Sequence, residues 1–233
     1  MDRLLIILIS GLMLSSCGIK NSSNESEDKK EENSNAMVDS VFKIVMDNGF
    51  EIVGGDVETY RKYGVFTSLN IERNGKPIFQ QKEMDEFKLE KLNAILIPNK
   101  NRNQFELIYE TFSYPSKPVN NKLTIFNDTV VSTERLPSFE TVAKNLDSDS
   151  NLELAGYWSD FELWGDKELF TSYNPILFYE VTENGLQIDT PLTVEKNEYI
   201  YGKFLGYDFS EELPQQKVTM ERHSVIIEEI KNK

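Results

Sequence analysis

The chain has 233 residues, with 39 acidic against 25 basic side chains and a formal net charge of −14; Cys17 is its one cysteine and His223 its one histidine. An acidic excess of this size repels nucleic acid and anionic lipid surfaces. A lone histidine near the end, read as a surface residue, excludes Ser-His-Asp or Cys-His catalysis and a histidine zinc site, and Gly54-Gly55 lacks the flanking Gly and Lys of a phosphate loop.

In chain order, residues 1–16 pair a charged start at Arg3 with an apolar run over 4–14 that ends in small residues. The run is too short to span a bilayer comfortably as a permanent helix and reads as a signal peptide. Leu14-Ser15-Ser16-Cys17 resembles the lipobox of bacterial lipoproteins. That resemblance implies cleavage before Cys17, lipidation of its thiol and membrane attachment through it, which leaves no thiol for a disulfide, a nucleophile or a metal. Residues 17–35 are rich in Ser, Glu, Asp and Lys with almost nothing apolar after Ile19, so they are expected to form a disordered acidic tether. An acid-rich tether in this place is similar to the export signal of surface lipoproteins of the Bacteroidota. It implies an outer-membrane lipoprotein, at the cell surface or on the periplasmic face; the outer face of a single membrane is the alternative.

Residues 36–233 are enough for a single domain with a core. Runs at 41–46 and 50–53 flank Asp47-Asn48-Gly49, and runs at 65–72 and 77–80 flank Arg73-Asn74-Gly75-Lys76. Asn-Gly supplies the positive φ angles of tight hairpins. Further strand-like runs lie at 94–97 and 105–112 around a polar turn, at 123–126 and 129–133 around Asn127-Asp128, and at 152–158. Two more, at 176–181 and 186–189, surround Glu183-Asn184-Gly185, and a last one covers 199–204. Helical periodicity is confined to 83–93 and 224–233. The chain therefore reads as mainly β and antiparallel, propeller-like or a sandwich, with one or two short helices.

One stretch carries the densest oxygen chemistry: Asn145-Leu-Asp147-Ser-Asp149-Ser-Asn151-Leu-Glu153-Leu154. Oxygen side chains fall at loop positions 1, 3, 5 and 9, with the backbone carbonyl of Asn151 at position 7, an alternation that turns oxygens onto one hard cation. A solvated polar turn between strands is the alternative. Gly156, where an EF-hand has its closing Glu, argues against that motif. The spacing resembles the Asp-x-Asp-x-Asp-Gly-x-x-Asp loops of the FG-GAP and VCBS families, which implies a structural Ca2+ held by Asn145, Asp147, Asp149 and Glu153. Ser150 stands where those families have Gly and would take the sharp turn at a conformational cost. Asn145 replaces an Asp, so the expected dissociation constant is roughly 10⁻⁴ to 10⁻³ M. An echo, Asn99-Lys-Asn101-Arg-Asn103-Gln-Phe-Glu106-Leu107, precedes it; Glu106 and Glu153 lie about 47 residues apart, near the period of a propeller blade. The echo is expected to keep the turn without the ion, and coincidence between two polar turns is the competing explanation.

A second constellation follows: Tyr157-Trp158-Ser-Asp160-Phe161-Glu162-Leu-Trp164, then Tyr173-Asn174-Pro175. Aromatic faces beside carboxylates are the chemistry of sugar recognition, and two carboxylates across a cleft hydrolyse glycosides. Trp158, Asp160, Glu162 and Trp164 are the candidate ligand platform, with core filling by both tryptophans as the competing reading. On a strand, Asp160 and Glu162 would share one face. A group of uncharacterised lipoproteins of the Bacteroidota also combines a lipobox, one such loop and a Tyr-Asn-Pro-Ile-Leu-Phe-Tyr-Glu strand, here residues 173–180, and the loop is similar to that of a propeller-like lysozyme-inhibitor family. These resemblances imply a structural calcium and a binding role rather than an enzymatic one. The sequence thus reads as a lipid-anchored, non-enzymatic β domain binding an envelope protein or glycan, not nucleic acid. An inhibitor or immunity protein against an envelope-lytic enzyme, and a carboxylate-dependent glycan hydrolase using Asp160 or Glu162, are the alternatives.

Overall fold

Asn-Gly turns and alternating apolar residues build the first sheet. The computed structural model describes residues 42–60, 63–87, 94–111 and 117–233. The expected signal peptide, Cys17 and the expected tether lie outside them, as do residues 88–93 of the expected helix at 83–93. Strands β1 (Phe42–Val45), β2 (Phe50–Tyr60), β3 (Tyr63–Arg73) and β4 (Lys76–Phe87) pair antiparallel in that order. Asn48 and Asn74 take positive φ at the turns (57° and 51°), each followed by a Gly at 75°. β4 also corrects a reading: 83–87 continue the strand, with Phe87 in register with Phe66. A short apolar run fits either period, and pairing with β3 decides it.

The second sheet is a seven-stranded antiparallel sheet ordered β13-β12-β9-β8-β7-β6-β5. Its strands are β5 (Ala94–Pro98), β6 (Gln104–Thr111), β7 (Val119–Phe126), β8 (Thr129–Phe139), β9 (Leu152–Tyr157), β12 (Leu177–Thr182) and β13 (Gly185–Ile188). Side chains of β6 alternate between two cores. Phe105, Leu107 and Tyr109 join Phe50, Ile52, Leu69 and Ile71 in a core between the two sheets, so these sheets pack as a sandwich does. Ile108, on the other face, joins Ile97, Leu136, Leu154, Leu177 and Val181. The sheet curls around this inner core until its ends are bridged: the Lys100 N–H donates to Glu183 O (2.7 Å), Asn99 Nδ2 to Asn184 O (2.6 Å), and the Leu186 N–H to Glu106 Oε2 (2.7 Å).

On β9 and β12 the outward residues are apolar as well, because two helices cover them. Ala155 and Phe178, with Ile176 just before β12, pack on Leu192 and Ile200 of α1 (Thr190–Tyr201) and on Ile226, Ile227 and Ile230 of α2 (Val218–Asn232). α1 overturns the strand expected at 199–204. Tyr199, Ile200 and Tyr201 favour strands intrinsically, but Asp189 caps the Leu192 N–H (3.0 Å), Pro191 sits in the first turn, and Gly202 closes the helix at φ 78°. Asn197, fully buried, accepts from the Ile176 N–H (3.0 Å) and donates to the Ile176 and Thr193 carbonyls (both 2.7 Å), which ties α1 to the approach of β12. α2 covers the expected 224–233 helix as far as Asn232 and starts earlier. A small third sheet, β10 (Leu163–Trp164), β11 (Phe170–Tyr173) and β14 (Ser210–Gln216), completes a mainly β, antiparallel fold with two α-helices among the described residues.

Candidate metal loop and its surroundings

The loop between β8 and β9 is closed at its base by reciprocal bonds, Lys144 N–H to Glu153 O (3.0 Å) and Glu153 N–H to Lys144 O (2.6 Å). Leu146 inserts into the helix-side core and anchors the middle of the loop. The end of α2 holds it from outside: Lys144 Nζ donates to the Lys231 (3.1 Å) and Ile230 (3.4 Å) carbonyls, and Lys233 Nζ donates to Leu146 O. Carbonyls in the last turn of a helix lack helical partners, so Lys144 satisfies groups that would otherwise need water.

Within the loop, three side chains accept from main-chain N–H groups a few residues on: Asn145 Oδ1 from Ser148 (2.7 Å), Asp147 Oδ1 from Asp149 (2.9 Å) and Asp149 Oδ1 from Asn151 (2.6 Å). These Asx turns fold the chain tightly. The left-handed residue is Ser148, at φ 78°, so the sharp turn falls two residues before Ser150, where the family pattern put it. Asn145 Nδ2 also donates to Asp149 O. The echo at 99–106 has the same construction, with Asn99 and Asn101 accepting from the Asn101 and Asn103 N–H groups.

Asp147, Asp149 and Glu153 each present an oxygen within 4.8 Å of the others. Oxygens on opposite sides of a calcium ion lie about 4.6 to 5.2 Å apart, twice its bond length, so the spacing suits that ion, and the donors are all hard oxygen. Asp147 and Asp149 are exposed, whereas Glu153 is only 1% exposed. Its Oε2 accepts the Leu146 N–H at 2.5 Å, which does not offset the rest of its setting. Burial, then the carboxylates of Asp147, Asp149 and Asp189, push its pKa up to about 7. Glu180 is a further carboxylate beside the loop that sequence spacing did not reveal. It lies opposite Glu153 in the β9–β12 register and accepts from Asn151 Nδ2. Like charges directly opposed across strands repel, and a cation among these oxygens would relieve that repulsion. The Asn151 side chain therefore turns to Glu180 and Asp149, which leaves its backbone carbonyl as the donor it offers.

The four residues of the candidate ligand platform stand in different settings. Trp158 packs against the inner core, while Trp164 stands on β10 in register with Phe170. Asp160 and Glu162, both exposed, lie in the irregular connection between β9 and β10, so the shared strand face expected for them is absent. The other aromatics of this segment surround charge and ring nitrogens: Lys117 Nζ lies 2.8 Å from the Tyr157 ring centroid and 2.5 Å from Glu140 Oε1. His223 is 2% exposed, packed edge-on against Tyr157 and Phe161 (both 4.7 Å), which corrects its reading as a surface residue. It sits on the inward face of α2 with Thr219, Ile226, Ile227 and Ile230. Burial pushes its pKa down to about 3, helped by the Lys117 cation and opposed by Glu140 and a hydrogen bond to the Asn174 main chain.

No family model, no curated protein and no solved structure matches this chain.

Proposed function

We propose that the chain is a lipid-anchored, non-enzymatic β domain of the bacterial envelope that binds a protein or glycan partner, with a structural calcium in the loop of Asn145, Asp147, Asp149, Asn151 and Glu153. The observation that carries this reading is the three-carboxylate group with a buried Glu153 facing Glu180. The ion's chemistry at this place is charge neutralisation. Asp147, Asp149 and Glu153 supply charged oxygens, Asn151 its backbone carbonyl and Asn145 its side-chain carbonyl. The packing of Trp158 against the inner core and the exposed, irregular placement of Asp160 and Glu162 favour binding over glycan hydrolysis. Removing calcium with a chelator lowers the melting temperature in this reading, and restoring calcium recovers it.

Attachment rests on Cys17 and the lipobox before it. The wild-type chain, expressed with its leader, is expected in the membrane fraction and takes up radiolabelled fatty acid. Cys17→Ser is expected to move into the soluble fraction without label. Equal partition and equal labelling of the two chains would remove the anchor from this account.

A further inference from the structure

The two facing sheets stop being apolar at one end of their interface. On the β7 face that meets the first sheet, Ile125 and Leu123 belong to the core, but the next residue on that face is Asn121. Opposite them in register on β8 stand Thr133, paired with Leu123, and Arg135, paired with Asn121. Phe79 and Gln81 come from β4 on the other sheet. The space between is not filled by side chains. It forms an open cavity of about 210 Å³ lined by Phe79, Gln81, Tyr109, Asn121 and Leu123 and, from β8, by Thr133, Glu134 and Arg135. Inward positions of a sandwich alternate as apolar residues and pack to high density. Here the sandwich opens to solvent: Thr133, Glu134 and Arg135 are exposed, and polar groups from both sheets line the opening.

The polar groups have capacity to spare. Tyr109 Oη donates to Gln81 Oε1 (2.8 Å), so the Gln81 amide keeps its N–H donors. Asn121 Nδ2 donates to Thr111 Oγ1 (2.9 Å), so its Oδ1 remains an acceptor. Arg135, exposed, has no ion-pair partner among the described residues. The neighbouring acid does not neutralise it, because Glu134 Oε2 is engaged by Lys122 at 2.7 Å. In a chain of net charge −14, an arginine lining a cavity whose one carboxylate, Glu134, is held by Lys122 is a place for an anion from outside. Amides and a hydroxyl flank it, and the Phe79 ring offers a face on which a sugar ring stacks. The volume is below the roughly 300–1,000 Å³ of sites for drug-sized ligands, so one ring-sized residue is the matching occupant.

We propose that this inter-sheet cavity binds the terminal uronate residue of a glycan, with Arg135 pairing with the carboxylate, Gln81, Asn121 and Thr133 meeting the hydroxyls, and Phe79 against the ring. The inference rests on the reading of the chain as a binding domain and names the chemistry of its partner. It fails independently of the calcium loop, because the two are probed by different ligands. The test is saturation-transfer NMR on the full chain in detergent with methyl β-glucuronide, methyl β-glucoside and N-acetylglycine. Saturable binding of the glucuronide is expected, with the glucoside and N-acetylglycine each weaker by about tenfold or more, the worth of a charge-assisted hydrogen bond or of the ring contacts. Arg135→Leu, at an exposed position, should keep its circular dichroism and melting temperature and lose about tenfold or more in glucuronide affinity, and Arg135→Lys should fall between. Absence of saturable glucuronide binding, unchanged affinity in folded Arg135→Leu, or N-acetylglycine binding as tightly as the glucuronide would each overturn the proposal.

Discussion

Gly156→Ala should lower the melting temperature by about 10 °C, which corresponds to roughly 3 kcal/mol for a protein of this size. Gly156 lies where β9 crosses β8, in register with Phe139, and on its other side it pairs with Leu177 of β12. A Cβ there would meet Ser138 O at 2.1 Å and Ser138 C at 2.8 Å. Both are main-chain atoms of a paired strand, so nothing nearby can rotate out of the way. Relief requires β8 and β9 to part, and the β8–β9 pairing is a short one, of Ser138 with Tyr157 and Phe139 with Gly156. Overpacking typically costs 1–3 kcal/mol, and a main-chain clash belongs at the upper end of that range. Gly75→Ala provides the comparison, because a Cβ there meets nothing within 4 Å and only the positive φ resists it. Thermal melts of the two variants should separate clearly. Equal small losses would mean that β8 and β9 are not held at this spacing.

Acidification should destabilise the wild type through His223. The folded-state pKa is pushed down to about 3, against 6.5 for the free side chain. Between those values the unfolded chain binds a proton that the folded chain refuses, so stability falls with falling pH. The contribution is complete above about pH 6.5, is lost progressively below it and levels off near pH 3. The groups facing the ring are Tyr157 and Phe161 edge-on, the Lys117 cation, which opposes protonation, and Glu140, which favours it. Other titrating groups change over the same range, so the effect is isolated by difference. His223→Phe keeps a ring between Tyr157 and Phe161 and cannot take up a proton. From pH 7 to pH 4 the wild type should lose about 3 kcal/mol relative to this variant, or roughly 10 °C in melting temperature. Parallel pH profiles for the two proteins would show that His223 is not buried in the neutral form.

Local chemistry carried the hairpins. Asn48-Gly49 and Asn74-Gly75 adopt the positive φ angles that make them legible, and the strands on either side pair across them. The turn at 145–153 was legible for the same reason: the alternation of its oxygen side chains is a property of consecutive residues. What escaped depends on contacts distant in sequence. Glu180 and Asp189 reach Glu153 because β12 pairs with β9 and α1 starts just beyond β13, and no spacing within the loop points to them. α1 was hidden by the strand-forming Tyr199-Ile200-Tyr201, although Asp189, Pro191 and Gly202 carried start and stop signals that a reading for caps would have caught. His223 gave no sign of burial until the inward face of α2 was known. Asn121 and Arg135 became unusual only once β7 and β8 had an inner side.

The loop is proposed to hold a cation that stabilises the folded chain. A thermal melt of the wild type and of Asp147→Ala/Asp149→Ala, in chelator, in calcium and in magnesium, tests this. An ion that binds only the folded state adds about 2.7 kcal/mol at a hundredfold excess over its dissociation constant. The account predicts a calcium-specific rise of about 5 to 10 °C in the wild type and none in the variant. Melting temperatures that do not respond to calcium in either protein would contradict it, and would leave Asp147, Asp149 and Glu153 as an acidic turn.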